Sequence, residues 1–208
     1  MIKPRGRPSS RDKIVAAAGE LVRTEGAARL SLDAVAERAE ISKGGLLYNF
    51  PTKSALLKAL IGEYVGRIRE ERAAIAERLG DNAPNRAVRS HIAATMSICR
   101  QEGPPPAGLI AAIAEDPMLL EPIRAYNREI RARLAGDHDP DLSLIAFLAM
   151  EGICSLELFE ISPLDETEYS RVVEVLERLL AGRCLADGAA TSPAAADPAG
   201  APKIAETT

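Results

Sequence analysis

Residues 31–53, SLDAVAERAEISKGGLLYNFPTK, limit the possible folds more than any other part of the chain. Ser31 stands where a helix N-cap is wanted, and Leu32, Val35, Ala36 and Ala39 follow at i, i+3, i+4 and i+7, the spacing of one buried helical face. Glu40-Ile41-Ser42 breaks that pattern, and Ser42 can cap a second helix beginning at Lys43. The second helix must end before Pro51, because a residue preceding proline is pushed out of the α region. Thr52 then caps a third. A helix, a tight turn and a second helix of about two turns form the helix-turn-helix arrangement, which lays its second member in a DNA major groove. The expectation is an all-α fold whose N-terminal part binds DNA.

The run Ser42-Lys43-Gly44-Gly45-Leu46-Leu47-Tyr48-Asn49-Phe50-Pro51-Thr52-Lys53 resembles the recognition helix and following turn of the tetracycline-repressor (TetR/AcrR) family. The likeness continues upstream through Ala36-Glu37-Arg38-Ala39 and Ile41-Ser42, and back to Ile14-Val15-Ala16-Ala17-Ala18 in the first helix. This sequence departs from the family pattern at Gly45, where a small or hydroxylated residue is usual, at Leu47 for Tyr, and at Asn49 for His. Those departures bear on which bases are read. The resemblance implies a homodimeric regulator with a helix-turn-helix head, a connector helix, an effector-binding body and a dimer interface on its last two helices.

Charge is distributed to match. The chain has a net charge of −4, yet residues 1–58 hold eleven Lys/Arg against six Asp/Glu, and the remainder fifteen against twenty-four. A basic head on an acidic body approaches DNA in one orientation. Residues 1–8, MIKPRGRP, form a basic arm; Arg5-Gly6-Arg7 resembles the core of an AT-hook, suited to a narrow minor groove. The bland alternative is a solvated tail. At the recognition helix, Lys43 can reach a phosphate or a guanine edge. Gly44 and Gly45 would let the backbone approach the groove, and Leu47 can meet a thymine methyl. Tyr48 and Lys53 match family positions that contact phosphate, Ser31 and Ser42 can combine capping with phosphate donation, and Asn49 can bond phosphate or base. Leu46 and Phe50, four residues apart, read as core.

The expected division is arm 1–8, helix-turn-helix domain 9–52, ligand-binding and dimerisation domain 53–185 with a connector helix at 53–79, and a disordered, Ala- and Pro-rich tail at 186–208. In the connector, an apolar N-terminal half gives way to a charged C-terminal half. Further helices are expected at 85–101, 106–115, 117–135, 140–161 and 166–182, with no strand. Between connector and dimer helices lie Ile92, Met96, Cys99, Leu109, Ile113, Met118, Ile123, Tyr126 and Phe147. The resemblance implies an effector pocket here, for a hydrophobic small molecule; each residue taken singly reads more readily as core. His91, Asn127 and Glu151 are the polar groups within reach. The segment 142–161 has the length of a membrane span, but Glu151, Glu157 and Glu160 within it exclude one. Its small residues Ala149 and Gly152, with Ile153 and Leu156, and Val172, Leu176 and Leu179 on the following helix, suit half of a four-helix bundle completed by a second subunit. The alternative is that they close a monomer core.

Two histidines, no CxxC pair, no GxSxG and no phosphate loop leave no catalytic constellation, metal site or cofactor site to argue for. Three widely spaced cysteines, Cys99, Cys154 and Cys184, and a polar N-terminus suit a cytoplasmic protein. The reading is a ligand-responsive repressor that binds a palindromic operator as a homodimer. A helical adaptor answering to a protein partner is the alternative.

Overall fold

A computed structural model describes residues 9–26, 29–102 and 108–183; the N-terminal arm, the C-terminal tail and Cys184 lie outside the described residues. Within them there are nine α-helices and no strand: α1 (Ser10–Glu25), α2 (Leu32–Arg38), α3 (Lys43–Asn49), α4 (Lys53–Leu79), α5 (Arg86–Glu102), α6 (Gly108–Glu115), α7 (Glu121–Leu134), α8 (Pro140–Leu158) and α9 (Glu166–Leu180). A 3₁₀ turn, Pro117–Leu120, precedes α7. One continuous helix over 117–135 was expected. Pro122 prevents it, because its ring would clash with the carbonyl four residues back and it has no N–H to donate. Helix α8 ends at Leu158 rather than 161, with Glu160 turned into the left-handed region at φ 56°.

Side-chain caps fix the helix starts in the head. Ser9 and Asp12 form a reciprocal capping box on α1, and the Ser31, Ser42 and Thr52 hydroxyls accept the backbone N–H groups of Ala34, Gly45 and Ala55 at 3.0–3.1 Å. Helix α2 closes with Glu40 in the left-handed region (φ 54°) and with the Ile41 N–H donating to the Ala36 carbonyl at 3.0 Å. That closure sets the angle at which α3 leaves α2.

Two buried cores result. The head core takes Ile14, Val15, Ala18 and Leu21 from α1, Val35 and Ala36 from α2, Leu46 and Phe50 around α3, and Leu56, Leu57 and Ile61 from α4. The body core takes Val65, Ile68 and Ile75 of the same α4, with Ile92, Ile98, Ile130, Phe147, Met150 and Leu180. Helix α4 therefore belongs to both. Its charged C-terminal half is packed into the body. Arg72 is buried, and Arg69 and Arg72 bond Glu129 of α7 at 2.9 and 3.3 Å.

The body is knitted at one end by two polar residues. Asn85, buried and at φ 50°, donates to the Leu180 carbonyl at 3.0 Å and accepts from the Asp139 N–H at 2.8 Å. Asp137 accepts from the first free amides of α5, at Ala87 and Val88, and from Ser143 of α8.

A second link joins body to head. Leu119, in the 3₁₀ turn, is 1% exposed and sits in the head core, with Ala112 and Ile113 of α6 packed beside it. Asp116 caps that turn and accepts a hydrogen bond from Ser54 in the first turn of α4. The Ser54 hydroxyl, then the Met118 amide, hold the Asp116 carboxyl below its usual range. Leu119→Ala should therefore destabilise the protein by about 2–5 kcal/mol, measured by urea unfolding. A loss under half a kilocalorie would mean that the turn does not bear on the head core.

Candidate functional site

Helix α3 presents two unlike faces. Leu46 and Phe50 are buried at 0 and 4% exposure, and Arg11 of α1 lies over the Phe50 ring at 5.3 Å. The opposite face carries Lys43, Gly44, Leu47 and Tyr48, with Tyr48 90% exposed. An almost fully exposed tyrosine on a helix whose inner face is fully packed stands ready for an external partner. Lys43 Nζ meets Asp33 of α2 at 2.7 Å, both groups being solvent-exposed, so the pair is weak and replaceable. The Ser31 and Ser42 oxygens are used as cap acceptors, which leaves each hydroxyl proton free to donate outward. Lys53 opens α4.

Two residues are placed differently from their expected use. Asn49 Nδ2 donates to the Gly45 carbonyl at 2.8 Å, so its amide is turned back on its own helix. A Cβ on Gly45 would lie 3.0 Å from Ile41 Cγ2 and 3.2 Å from Ser42 Oγ, whereas one on Gly44 would meet nothing within 4 Å. Gly45 thus lets the inter-helix turn close against α3, and Gly44 alone leaves the outer face bare. Arg5 and Arg7 lie outside the described residues.

In the body, the sequence-selected residues separate into groups. Tyr126, Phe147 and Glu151 surround His91, which is 1% exposed. His91 Nδ1 lies 3.1 Å from the Tyr126 hydroxyl and Nε2 lies 3.3 Å from Glu151 Oε1. An ionised carboxylate only accepts, so Nε2 carries the proton toward Glu151; in the neutral ring Nδ1 then accepts from Tyr126. Burial, opposed by Arg72, pushes the Tyr126 hydroxyl up to about 12, so the phenol stays neutral at physiological pH.

Ile92 is in the same core, completely buried. Cys99 approaches the Tyr64 hydroxyl at 3.6 Å. Met96 lines a groove of about 380 Å³ between α4, α5 and α9, with Ile75, Leu79, Ala93, Arg89 and Arg100. Ile113 packs on the head core, Ile123 on both cores, and Met118 is 56% exposed. The Leu109 side chain lies outside the described part.

The sequence reading missed Arg72, Thr95 and Glu129. Arg72 follows Ile61, Val65 and Ile68 and precedes Ile75 on one stripe of α4, and a charge on an otherwise apolar stripe is the signal that was available. Burial pulls the Glu129 carboxyl upward, but Arg69 and Arg133 outweigh it and hold the group below its usual range.

On α8, the turns of Ile145, Leu148, Gly152 and Phe159 form an exposed stripe, with Ala149 and Leu156 half-buried at its edge. Val172, Leu176 and Leu179 of α9 are half-buried, while Ile153 is buried in the body core. Ile145, Leu148 and Phe159 are exposed residues of this stripe that the sequence reading passed over.

Residues 14–60 match the model of the bacterial regulatory proteins of the tetR family, and residues 85–181 match that of a tetracyclin repressor-like C-terminal domain. The chain belongs to the TetR family. It is a DNA-binding transcriptional regulator. No curated protein matches it. Among solved structures, the TetR-family member SCO1917 of Streptomyces coelicolor A3 is 27% identical, with 83% of this chain and 99% of that one covered at a TM-score of 0.54. The multidrug binding protein EbrR, in complex with imidazole, is also 27% identical, over 84% of this chain and 96% of its own, at 0.55. A transcriptional regulator of Rhodococcus sp. RHA1 shares the fold at 23% identity and 0.61, over 83% and 96%. Like these relatives, this TetR-family chain is covered across both head and body. No helix among its described residues is long and apolar enough to cross a membrane.

The two glycines of α3 give a direct check of the local geometry. Gly44→Ala should stabilise the fold by a few tenths to about 1 kcal/mol, since alanine is the better helix former and the space is open. Gly45→Ala should gain nothing or lose stability, because Ile41 must move. Thermal melts of the two variants side by side decide it, and equal gains would contradict the packing role assigned to Gly45.

Proposed function

We propose that this protein is a repressor that binds a palindromic operator as a homodimer in the cytoplasm and leaves it when a small molecule occupies the body. The observation that carries the reading is the α3 face, where Lys43, Gly44, Leu47 and Tyr48 are exposed over a packed Leu46 and Phe50. In this reading Tyr48, Lys53, Ser31 and Ser42 position the head on phosphates, with Arg5 and Arg7 of the arm reaching further along the duplex. Lys43 exchanges Asp33 for phosphate or guanine, and Leu47 meets a thymine methyl. Asn49, with one amide proton held by the Gly45 carbonyl, contributes through its second amide proton and its carbonyl oxygen. The functional boundary falls at residues 52 and 53, with α4 and the Pro117–Leu120 turn carrying changes across it.

Dimerisation is supported by the α8 stripe. Ile145, Leu148 and Phe159 are each more than half exposed, and Gly152 between them admits a close helix partner. Ala149, Leu156, Val172, Leu176 and Leu179 complete that face, and Ile153 supports it from the core. A small-molecule effector is supported by EbrR, itself a multidrug binding protein, and by the polar groups gathered at His91.

Fluorescence anisotropy against duplexes tiling the protein's own upstream region, over a salt series, tests the reading. One tile should bind well above background, with dimer stoichiometry. Lys53→Ala should lower the slope of log affinity against log salt by about 0.9, the effect of one lost phosphate contact. An unchanged slope removes Lys53 from the phosphate set, and equal weak binding to all tiles and to a random-sequence pool overturns operator recognition. Leu148→Glu should weaken the dimer by roughly thirty-fold or more, followed by sedimentation velocity. A dimer of unchanged strength would move the interface off this stripe.

A further inference from the structure

Two cysteines from distant parts of the chain meet in the body. Cys99 lies in the last turn of α5 and Cys154 in the last two turns of α8. Both are half-buried, reduced thiols, and their side chains share a hydrogen bond. Groups from the two other helices close the cluster. The Tyr64 hydroxyl of α4 lies 3.6 Å from Cys99 Sγ. On the α9 side, burial pushes the Tyr169 hydroxyl up, and Cys154 and Cys99 act on it in the same direction, so both sulfurs lie near it. Tyr64, Cys154 and Tyr169 all pack on the body core. A cysteine that sits alone is a small filler of apolar space. Two whose sulfurs already interact need only a short further approach to reach the roughly 2.05 Å of a disulfide bond.

The two sulfurs are not equivalent. The hydrogen bond with Cys99, and then burial, push the Cys154 thiol above its ordinary range, so it stays protonated. Cys99 has the Tyr64 hydroxyl within reach, a group that can donate to a sulfur carrying negative charge. It also lies within one helical turn of Met96 and Arg100, which line the open groove between α4, α5 and α9. Approach from solvent is therefore on the Cys99 side.

We propose that Cys99 and Cys154 form a reversible disulfide when the protein meets a hydroperoxide, and that this bond lowers its affinity for DNA. The proposal goes beyond the small-molecule reading above and rests on the family's DNA binding alone. The Cys99 sulfur, its proton given up to solvent, attacks one oxygen of the peroxide. The O–O bond breaks, and the leaving hydroxide takes up a proton and departs as water. Cys99 is then a sulfenic acid. The Cys154 sulfur attacks it, the S–O bond breaks, and the hydroxyl leaves as water with the Cys154 proton. In all, the two thiols lose two electrons and two protons, and one hydrogen peroxide is reduced to two waters. A dithiol reductant reverses the change.

The consequence runs through Tyr64. That residue stands on α4 between Ile61 of the head core and Val65 of the body core. Drawing Cys99 toward α8 takes its sulfur from the Tyr64 hydroxyl and ties α5, which packs along α4, to a third helix. The oxidised body then favours a different seat for α4, and the DNA-binding arrangement loses population.

The test uses the full chain with Cys184→Ser, which removes the third thiol, and the same chain carrying Cys99→Ser or Cys154→Ser in addition. Each is treated with hydrogen peroxide and read by intact mass, by non-reducing peptide mapping, and by anisotropy on the tightest-binding duplex of the tiled set. The parent should lose two hydrogens and yield a linked Cys99–Cys154 peptide. Its DNA affinity should fall by roughly ten-fold or more, and dithiothreitol should restore both. Cys154→Ser should stop at a sulfenic acid on Cys99, trapped by dimedone, and Cys99→Ser should form no disulfide; neither should lose DNA affinity. DNA binding by the untreated variants shows that they are folded. Absence of the Cys99–Cys154 link, or a link only between chains, would overturn the site. A link formed with unchanged affinity overturns the coupling to DNA, as does an equal loss of affinity in the two serine variants. Peptide mapping needs no DNA, so it decides the thiol pair even if operator recognition fails.

Discussion

Everything in this fold depends on α4 being buried twice. Its first two turns place Leu56, Leu57 and Ile61 in the head core, and its later turns place Val65, Ile68 and Ile75 in the body core. A helix of 27 residues is about 40 Å long. It is a stiff rod whose two ends cannot be repacked independently. Any event in the body that displaces α4 is felt by the helices that hold α3. Leu119 adds a second point of contact, from the body side, so the head is gripped by two segments far apart in sequence.

The head was legible from the sequence because its signals are local. Serine and threonine at 31, 42 and 52, the i, i+3, i+4, i+7 spacing of Leu32, Val35, Ala36 and Ala39, and the stop imposed by Pro51 each act within one turn of the helix they define. The body was less legible because its decisive interactions are long-range. Nothing near Arg72 in sequence announces Glu129, and nothing near Asn85 announces Leu180. The same holds for the 3₁₀ turn. Pro122 was visible, but that Leu119 would enter the head core follows only from how α6 and α7 are packed.

Candidate site residues divide along the same line. Tyr48 and Leu47 are exposed because their neighbours Leu46 and Phe50 face inward, a relation fixed by helical period. Gly45 could not be placed by period alone. Whether a missing side chain admits an outside partner or an inside neighbour depends on where Ile41 goes, and the closing turn at Glu40 sends it toward Gly45. In the body, a list chosen for apolar character gathered residues from three places: the His91 surroundings, the α4–α5–α9 groove and the head contact.

The electrostatics of the two ends follow opposite logics. On the head, charges are exposed, so the Lys43–Asp33 pair is worth little and is readily given up for phosphate. In the body, Arg72 is removed from water, and the same screening does not apply. An exposed cation tolerates the loss of its partner, whereas a buried one does not. The head therefore carries weak, replaceable pairs, whereas the body holds an arginine out of water against a shared carboxylate. Bonded to three guanidinium groups, Glu129 adds a polar tie between α7 and the helix that serves both cores, beside the apolar packing of Tyr126, Ile130 and Leu134.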